Sequence, residues 1–188
     1  MITIVSGLPR SGTTLMMRML YYGGKEVISD NDYSFESGFT NRLHDYNSWL
    51  AGCEGKAVKV LHPKIFYINP TLEYKIIWMW RDWKEQAKSQ SKYRKALGKP
   101  VSKKDIALRR KLNKRWHRDA IYRMKEQDNI EFIKVRFESC LRNPEHTAKA
   151  VNRFVGGLDE GLMAKAVIKR SSRNFKGFME NQLMGRAV

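Results

Sequence analysis

Six residues able to capture an anion fall within eight positions near the start of the chain, in "GLPRSGTT" (7–14): Gly7, Arg10, Ser11, Gly12, Thr13 and Thr14. The two glycines permit backbone conformations that a side chain would forbid. The amides of residues 10 to 14 can then converge at the positive end of the helix expected to follow. Three hydroxyls add donors, and Arg10 is the one cation inside the loop. The chemistry implied is the grip of a phosphate-like group. In magnesium-dependent triphosphate sites such a loop reads G-x-x-x-x-G-K-[ST], and its lysine reaches the outer phosphates. Position 13 here is threonine. No strand-like run ends in a clear metal-binding aspartate either, since Asp82 follows Arg81. A magnesium-triphosphate site is therefore poorly supported.

Other residues could complete a reaction centre. Arg81 ends the apolar run "KIIWMW", and Ser89 lies eight residues later. An arginine can bind a phosphate through two parallel hydrogen bonds, and a serine adds an uncharged donor. Taken alone, the same pair reads as a surface arginine and a solvent-facing serine. Two groups are candidate proton acceptors: Glu36 in "DYSFESGF" and His62 in "KVLHPK", downstream of Lys59. The plain alternatives are a surface acid, a structural histidine beside Pro63, and a packing or ion-pairing lysine. Glu138 suits a role in holding loop structure better than one in chemistry. "SSRNFKGF" (171–178) adds Arg173 and Lys176, which read equally well as tail charges.

Alternating strands and helices must position these groups. "ITIVS" (2–6), "EVIS" (26–29), "KAVKVL" (56–61), "KIIWMW" (75–80) and "EFIKVRF" (131–137) read as strands. Leu15, Met16, Met19 and Leu20 share one face of a helix that Gly23-Gly24 ends. A short helix is expected within 37–50 and a polar one from Trp83 to Leu97. "SKKD" (102–105) has capping-box spacing and opens a long helix to about Gln127. Its apolar stripe is expected at Leu108, Leu112, Trp116, Ile121 and Met124. Pro144 suits the first turn of another helix. This order predicts an α/β domain with a central, mostly parallel sheet flanked by helices. Ligands of such sheets sit beyond the C-terminal strand ends. Gly7, His62, Arg81 and Glu138 all fall at or just past such ends.

Composition sets the remaining bounds. A chain of 188 residues suffices for one domain with its own core, so 1–188 is expected to be a single domain. No apolar run reaches the roughly 18 residues of a bilayer span, and no secretory signal is read. Cys53 and Cys140 lack metal-ligand spacing and suggest reduced thiols in the cytoplasm. The net charge is +17, with fifteen basic and three acidic residues between Arg81 and Arg118. That excess favours anionic partners. Basic and aromatic residues of the long helix, Trp116 and Tyr122 among them, admit a nucleic-acid-binding reading. No known nucleic-acid motif accompanies them, so nucleic acid is not the expected partner. A small nucleotide-type kinase with a degenerate loop is the other alternative.

"LPRSGTT" resembles the 5′-phosphosulfate loop of sulfotransferases that use 3′-phosphoadenosine 5′-phosphosulfate (PAPS). "IIWMWRDWKEQAKSQ" (76–90) is similar to that family's strand-end arginine and following helical serine, which grip the 3′-phosphate. "IKVRFESCLRNPEHTAKAVNRFVGG" (133–157) resembles its strand, acidic residue, Asn-Pro turn and helix. The resemblance implies a nucleotide-binding fold with a phosphate loop. It also implies PAPS as donor, 3′,5′-adenosine bisphosphate as product, and metal-independent in-line transfer to a hydroxyl or amine. Arg10, Ser11, Gly12, Thr13 and Thr14 are then expected on the 5′ side, with Arg10 also assisting the leaving group. Arg81 and Ser89 take the 3′-phosphate, with Arg173 and Lys176 closing over it. Glu36 is the expected base and His62 the alternative. The family's Lys-x-His arrangement appears here as Lys59-x-x-His62, a departure from the pattern, and contact with the sulfuryl group is the sharper reading of Lys59 beside packing or ion pairing. The acceptor is expected to be a small molecule, glycan or lipid, in a reduced pocket or one completed by a second copy in a homodimer.

Overall fold

The computed structural model describes residues 1–29 and 46–168. Five strands, β1 (Ile2–Gly7), β2 (Val27–Ile28), β3 (Ala57–Lys59), β4 (Tyr74–Trp80) and β5 (Ile130–Arg136), form one sheet in the order β2-β3-β1-β4-β5. Every pairing is parallel. The chain visits β2 and β3 on one side of β1, then crosses to β4 and β5 on the other. The crevice beyond the C-terminal end of β1 is thus a switch point, where such sheets bind ligands.

Residues alternate between the two sheet faces, so each central strand feeds two cores. Ile2, Ile4, Tyr74, Ile76 and Trp78 pack on one face with Val58, Leu50, Ile65, Ala120 and Met124. Val5, Ile77, Met79 and Val135 pack on the other with Met16, Met17, Met19, Leu20, Val151 and Met163. β1 is buried along its whole length, whereas the edge strand β5 is buried only at Ile130 and Val135.

Seven α-helices are described, α1 (Thr13–Tyr22), α2 (Tyr46–Ala51), α3 (Trp83–Ala96), α4 (Lys103–Lys125), α5 (Phe137–Arg142), α6 (Pro144–Val155) and α7 (Glu160–Lys165), with a 3-10 turn at Lys64–Tyr67. The Asp82 side chain caps α3 by accepting from the amides of Lys84 and Glu85, both at 3.0 Å. That is the physical role of the aspartate following Arg81. Ser102 and Asp105 close the capping box that opens α4. The apolar stripe expected on α4 meets the core only in the helix's second half, at Ile121 and Met124. Leu108 is 55% and Trp116 38% exposed, and the buried positions are Asn113, Ala120 and Met124. The first half of α4 packs on α3 through polar side chains, and only its second half lies over the sheet's apolar face. The helices α5 and α7 were not anticipated. A capping aspartate at 159, bonded to the amide of Leu162, is the signal that marks α7.

Candidate active site

The phosphate loop leaves β1 at Gly7, whose register partner is Met79 of β4. A Cβ on Gly7 would lie 2.5 Å from both the Met79 carbonyl oxygen and Ser11 Oγ, so only glycine lets the loop turn against the strand. Gly12 precedes α1 with φ of 107°, and a Cβ there would overlap the Phe137 ring. Without a side chain Gly12 cannot cap the helix. The amides of Thr13, Thr14 and Leu15 have no carbonyl of their own helix to bond, which leaves them facing the crevice as anion donors. One expected donor drops out: the Ser11 amide bonds the Leu8 carbonyl at 3.1 Å. The loop is therefore a turn plus a helix terminus rather than a ring of five convergent amides. Ser11 Oγ is buried and lacks a partner among the described residues.

The lysine missing at position 13 has a counterpart from elsewhere in the fold. Lys59, buried at the end of β3, donates from Nζ to Thr14 Oγ1 at 3.1 Å. β3 pairs directly with β1, placing Val5 beside Lys59, so an adjacent strand brings an ammonium to the loop hydroxyl.

Arg81 stands one residue past β4. Its guanidinium lies 4.6 Å from the centroid of Phe137, the ring that occupies the space beneath Gly12. One aromatic ring thus supports both the loop and the strand-end arginine. Arg81 Nε is buried without a hydrogen-bond partner among the described residues, and the nearest carboxylate oxygen, Glu138 Oε1, is 3.9 Å away. Burial lowers the pKa of this guanidinium, and the positive charge of Arg10 pushes it the same way, against the opposing pull of Glu138 and Glu85. A nearby anion would relieve both effects. Glu138 itself acts as a fastener. Its Oε1 accepts from the Asp82 amide at 3.1 Å and its Oε2 from Arg136 Nε at 2.9 Å.

Arg10 and Ser89 meet directly: Arg10 Nε donates to Ser89 Oγ at 3.2 Å, and the guanidinium lies 5.6 Å from the Tyr93 centroid. Arg10 has φ of 68°, a conformation that costs a non-glycine residue about 1 kcal/mol or more. The two ends proposed for the nucleotide are therefore neighbours across one crevice, and Arg10 spans them.

His62 borders the loop through its backbone, its amide bonding the Gly7 carbonyl at 3.2 Å. Its ring enters an aromatic nest. It stacks on Trp116 at 5.9 Å and meets Phe66 edge-on at 5.3 Å. Burial lowers its pKa, a shift that Asp119 opposes and Arg123 reinforces. Burial thus favours the neutral form of the imidazole. Nearby, His117 lies among Trp78, Trp80 and Trp83, and its Nδ1 accepts from Trp78 Nε1 at 2.9 Å. Burial, with Lys134 adding to it, takes the His117 pKa down to about 4.

Of the expected site residues, the fold brings together Arg10, Ser11, Gly12, Thr13, Thr14, Arg81 and Ser89. It sets Lys59 against Thr14 and adds Phe137 and Tyr93, whose contributions depend on contacts between distant elements. Glu36, Arg173 and Lys176 lie outside the described residues.

A family model for the sulfotransferase domain matches residues 2–184. The chain belongs to the sulfotransferase family. Comparison with curated proteins finds no significant relative. Among solved structures, the chain is similar to mouse sulfotransferase SULT7A1 complexed with PAP. The identity is 16% and the TM-score 0.53, over 92% of this chain and 68% of that one. It is also similar to the sulfotransferase domain from the curacin biosynthetic pathway, at 10% identity and TM-score 0.53, over 90% and 78% of the two chains. A third is retinol dehydratase in a complex with retinol and PAP, at 14% identity and TM-score 0.50, over 87% and 62%. At such identities the likeness concerns the fold: a parallel five-stranded sheet flanked by helices.

Proposed function

We propose that this protein moves a sulfuryl group from PAPS to a hydroxyl or amine acceptor by in-line transfer, leaving 3′,5′-adenosine bisphosphate. The observation that carries the reading is Arg81 Nε, buried, without a hydrogen-bond partner among the described residues and only loosely paired with Glu138, set on the ring beneath Gly12 and within the electrostatic reach of Arg10. The site fits a donor with a phosphate at each end. The first-turn amides of α1, Thr13 and Thr14 hold the 5′-phosphosulfate, while Arg81 and Ser89 hold the 3′-phosphate. PAPS supplies the activated sulfuryl group. Arg10 stabilises charge on the departing phosphate, and Lys59, already bonded to Thr14, faces the group being transferred. A threonine at position 13 and an arginine at the β4 end are the residues of a site that works without magnesium.

Glu36 takes the acceptor proton in this reading, and His62 is the alternative. His62 is supported by burial that favours its neutral form and by its backbone bond to Gly7. Arg173 and Lys176 close over the 3′-phosphate. PAP in the solved complexes of SULT7A1 and retinol dehydratase supports the donor, and the retinol of the second supports a small-molecule acceptor. Glycan and lipid acceptors, and a homodimer that completes the pocket, remain within the proposal. Among the described residues no helix is long and apolar enough to cross a membrane. The cytoplasm is the compartment proposed, with Cys53 and Cys140 both free and buried.

Calorimetric titration with 3′,5′-adenosine bisphosphate in EDTA tests the donor. Binding is expected, whereas magnesium-dependent binding of ATP in its place would overturn the reading. A screen of acceptors with labelled PAPS then separates the bases. Glu36→Gln should keep bisphosphate affinity and lose turnover; if turnover persists and His62→Gln loses it, the histidine is the base.

A further inference from the structure

We infer that Gln86 and Gln90 are positioning residues for the phosphate loop, acting through the carbonyl oxygen of Pro9, and that Asn113 orients Gln90. Both glutamines donate from Nε2 to that one oxygen, Gln86 at 3.0 Å and Gln90 at 2.9 Å. They stand four residues apart on α3, one turn above the other, on the face that carries Ser89 and Tyr93. The face therefore holds the loop at two successive residues: the Pro9 carbonyl through the amides, and the Arg10 side chain through Ser89 and the Tyr93 ring.

Gln90 has no freedom to point elsewhere. Its Oε1 accepts from Asn113 Nδ2 at 3.1 Å, and its Nε2 also donates to Asn113 Oδ1 at 3.3 Å. Asn113 is 1% exposed and Gln90 7%, so neither amide can exchange its partner for bulk water. Gln86 is 0% exposed, and its Oε1 is left without a partner among the described residues. Turning that amide over would set two oxygens against each other at Pro9, so the donating orientation is the one retained. Leaving a buried acceptor unmade is costly. The fold bears that cost where the opposite end of the same amide fixes the residue before Arg10.

The backbone geometry gives the clamp its purpose. Arg10 occupies the left-handed region, and a carbonyl held by two donors keeps the Pro9–Arg10 peptide from rotating out of it. With the peptide free, Arg10 relaxes and the loop amides turn away from the anion. A purely structural pair of glutamines would contribute to folding and leave ligand affinity alone.

The inference rests on the donor reading above, and the test separates the two. Affinity for 3′,5′-adenosine bisphosphate is measured by calorimetry, and the melting temperature of the ligand-free protein by calorimetric scan. The variants are Gln86→Met/Gln90→Met, which keeps volume and removes both donors, and Asn113→Leu, which removes only the orienting partner. The double variant should bind roughly tenfold to a hundredfold more weakly and Asn113→Leu about threefold, each loss exceeding what any fall in stability explains. Unchanged affinity in the double variant overturns the clamp, whatever happens to its melting temperature. If that variant does not fold, Gln86→Met alone decides, with a loss of about fivefold expected and equal affinity overturning the inference. A wild-type protein that binds no bisphosphate overturns the donor reading itself.

Discussion

The two sides of the crevice are built from different physics. On the β1–β4 side, directional polar contacts fix nearly every group. Two glutamine amides hold Pro9, Ser89 holds Arg10, Lys59 holds Thr14, and Glu138 holds the Asp82 amide beside Arg81. On the β3–α4 side, His62 and His117 sit among four tryptophans and Phe66, and the Trp78–His117 hydrogen bond stands out among ring contacts. The difference matches the two tasks. Charge on a ligand is stabilised by donors that are already oriented before it arrives. The opposite environment, one that removes water from the ring, favours a neutral imidazole.

Gly12→Ala should have the largest effect, because it attacks the polar side at its foundation. The new Cβ overlaps Phe137 at a backbone angle that L residues avoid. A loss of about 3 kcal/mol of stability is expected from strain and overpacking together. Bisphosphate binding should disappear as well, since the ring that moves also carries Arg81. Chemical denaturation and titration check both, and a stable variant that binds normally would break the proposed sharing of that ring.

Arg81→Ala removes a charge-assisted contact without disturbing the loop. Affinity for 3′,5′-adenosine bisphosphate should fall by roughly 2–4 kcal/mol. Unchanged calorimetric affinity would take Arg81 out of the site. Lys59→Met tests where the two sides meet. About 1.5–3 kcal/mol should be lost from kcat/KM, the range for a hydrogen bond to a charged group, with a smaller change in bisphosphate affinity. Equal losses in both would mean that Lys59 serves binding rather than transfer.

The smallest effect belongs to the aromatic side. The folded pKa of His117 is about 4, below the ordinary value of 6.5 that applies when the chain is unfolded. Between those values the unfolded chain binds the extra proton, so this contribution is complete above pH 6.5 and is lost as the pH falls toward 4. His117→Gln should flatten the dependence of melting temperature on pH across that window, compared with wild type. Parallel curves for the two proteins would show that the ring does not hold its proton off.

Much of the polar side is legible in the chain because its parts are local. Gly7, Gly12, the hydroxyls between them and the strand-to-helix handover occupy a single stretch, and glycine at such a turn has few readings. Arg81 and Ser89 are legible too, as a strand end and the second turn of the next helix. Gln86 and Gln90 are not. Glutamine on a polar helix reads as solvent-facing, and only packing against Pro9 and Asn113 buries them. The bond from Lys59 to Thr14 is not legible either, because the two residues lie 45 positions apart. The misread stripe on α4 has the same origin: periodicity shows which residues share a face, not which half of a helix meets apolar surface.

The amino-acid order by itself determined the alternating strands and helices, the parallel sheet and the anion-binding turn after β1. These follow from hydrophobic period, capping residues and glycine placement, all set within a few neighbouring positions. Only the tertiary structure decided that one phenylalanine supports both Gly12 and Arg81, that a lysine from β3 bonds the loop hydroxyl of Thr14, and that two buried amides fasten Pro9. The physical reason is sequence separation. Each of those contacts joins elements 45 to 125 residues apart, and the sheet order that closes the distance is a property of the folded chain.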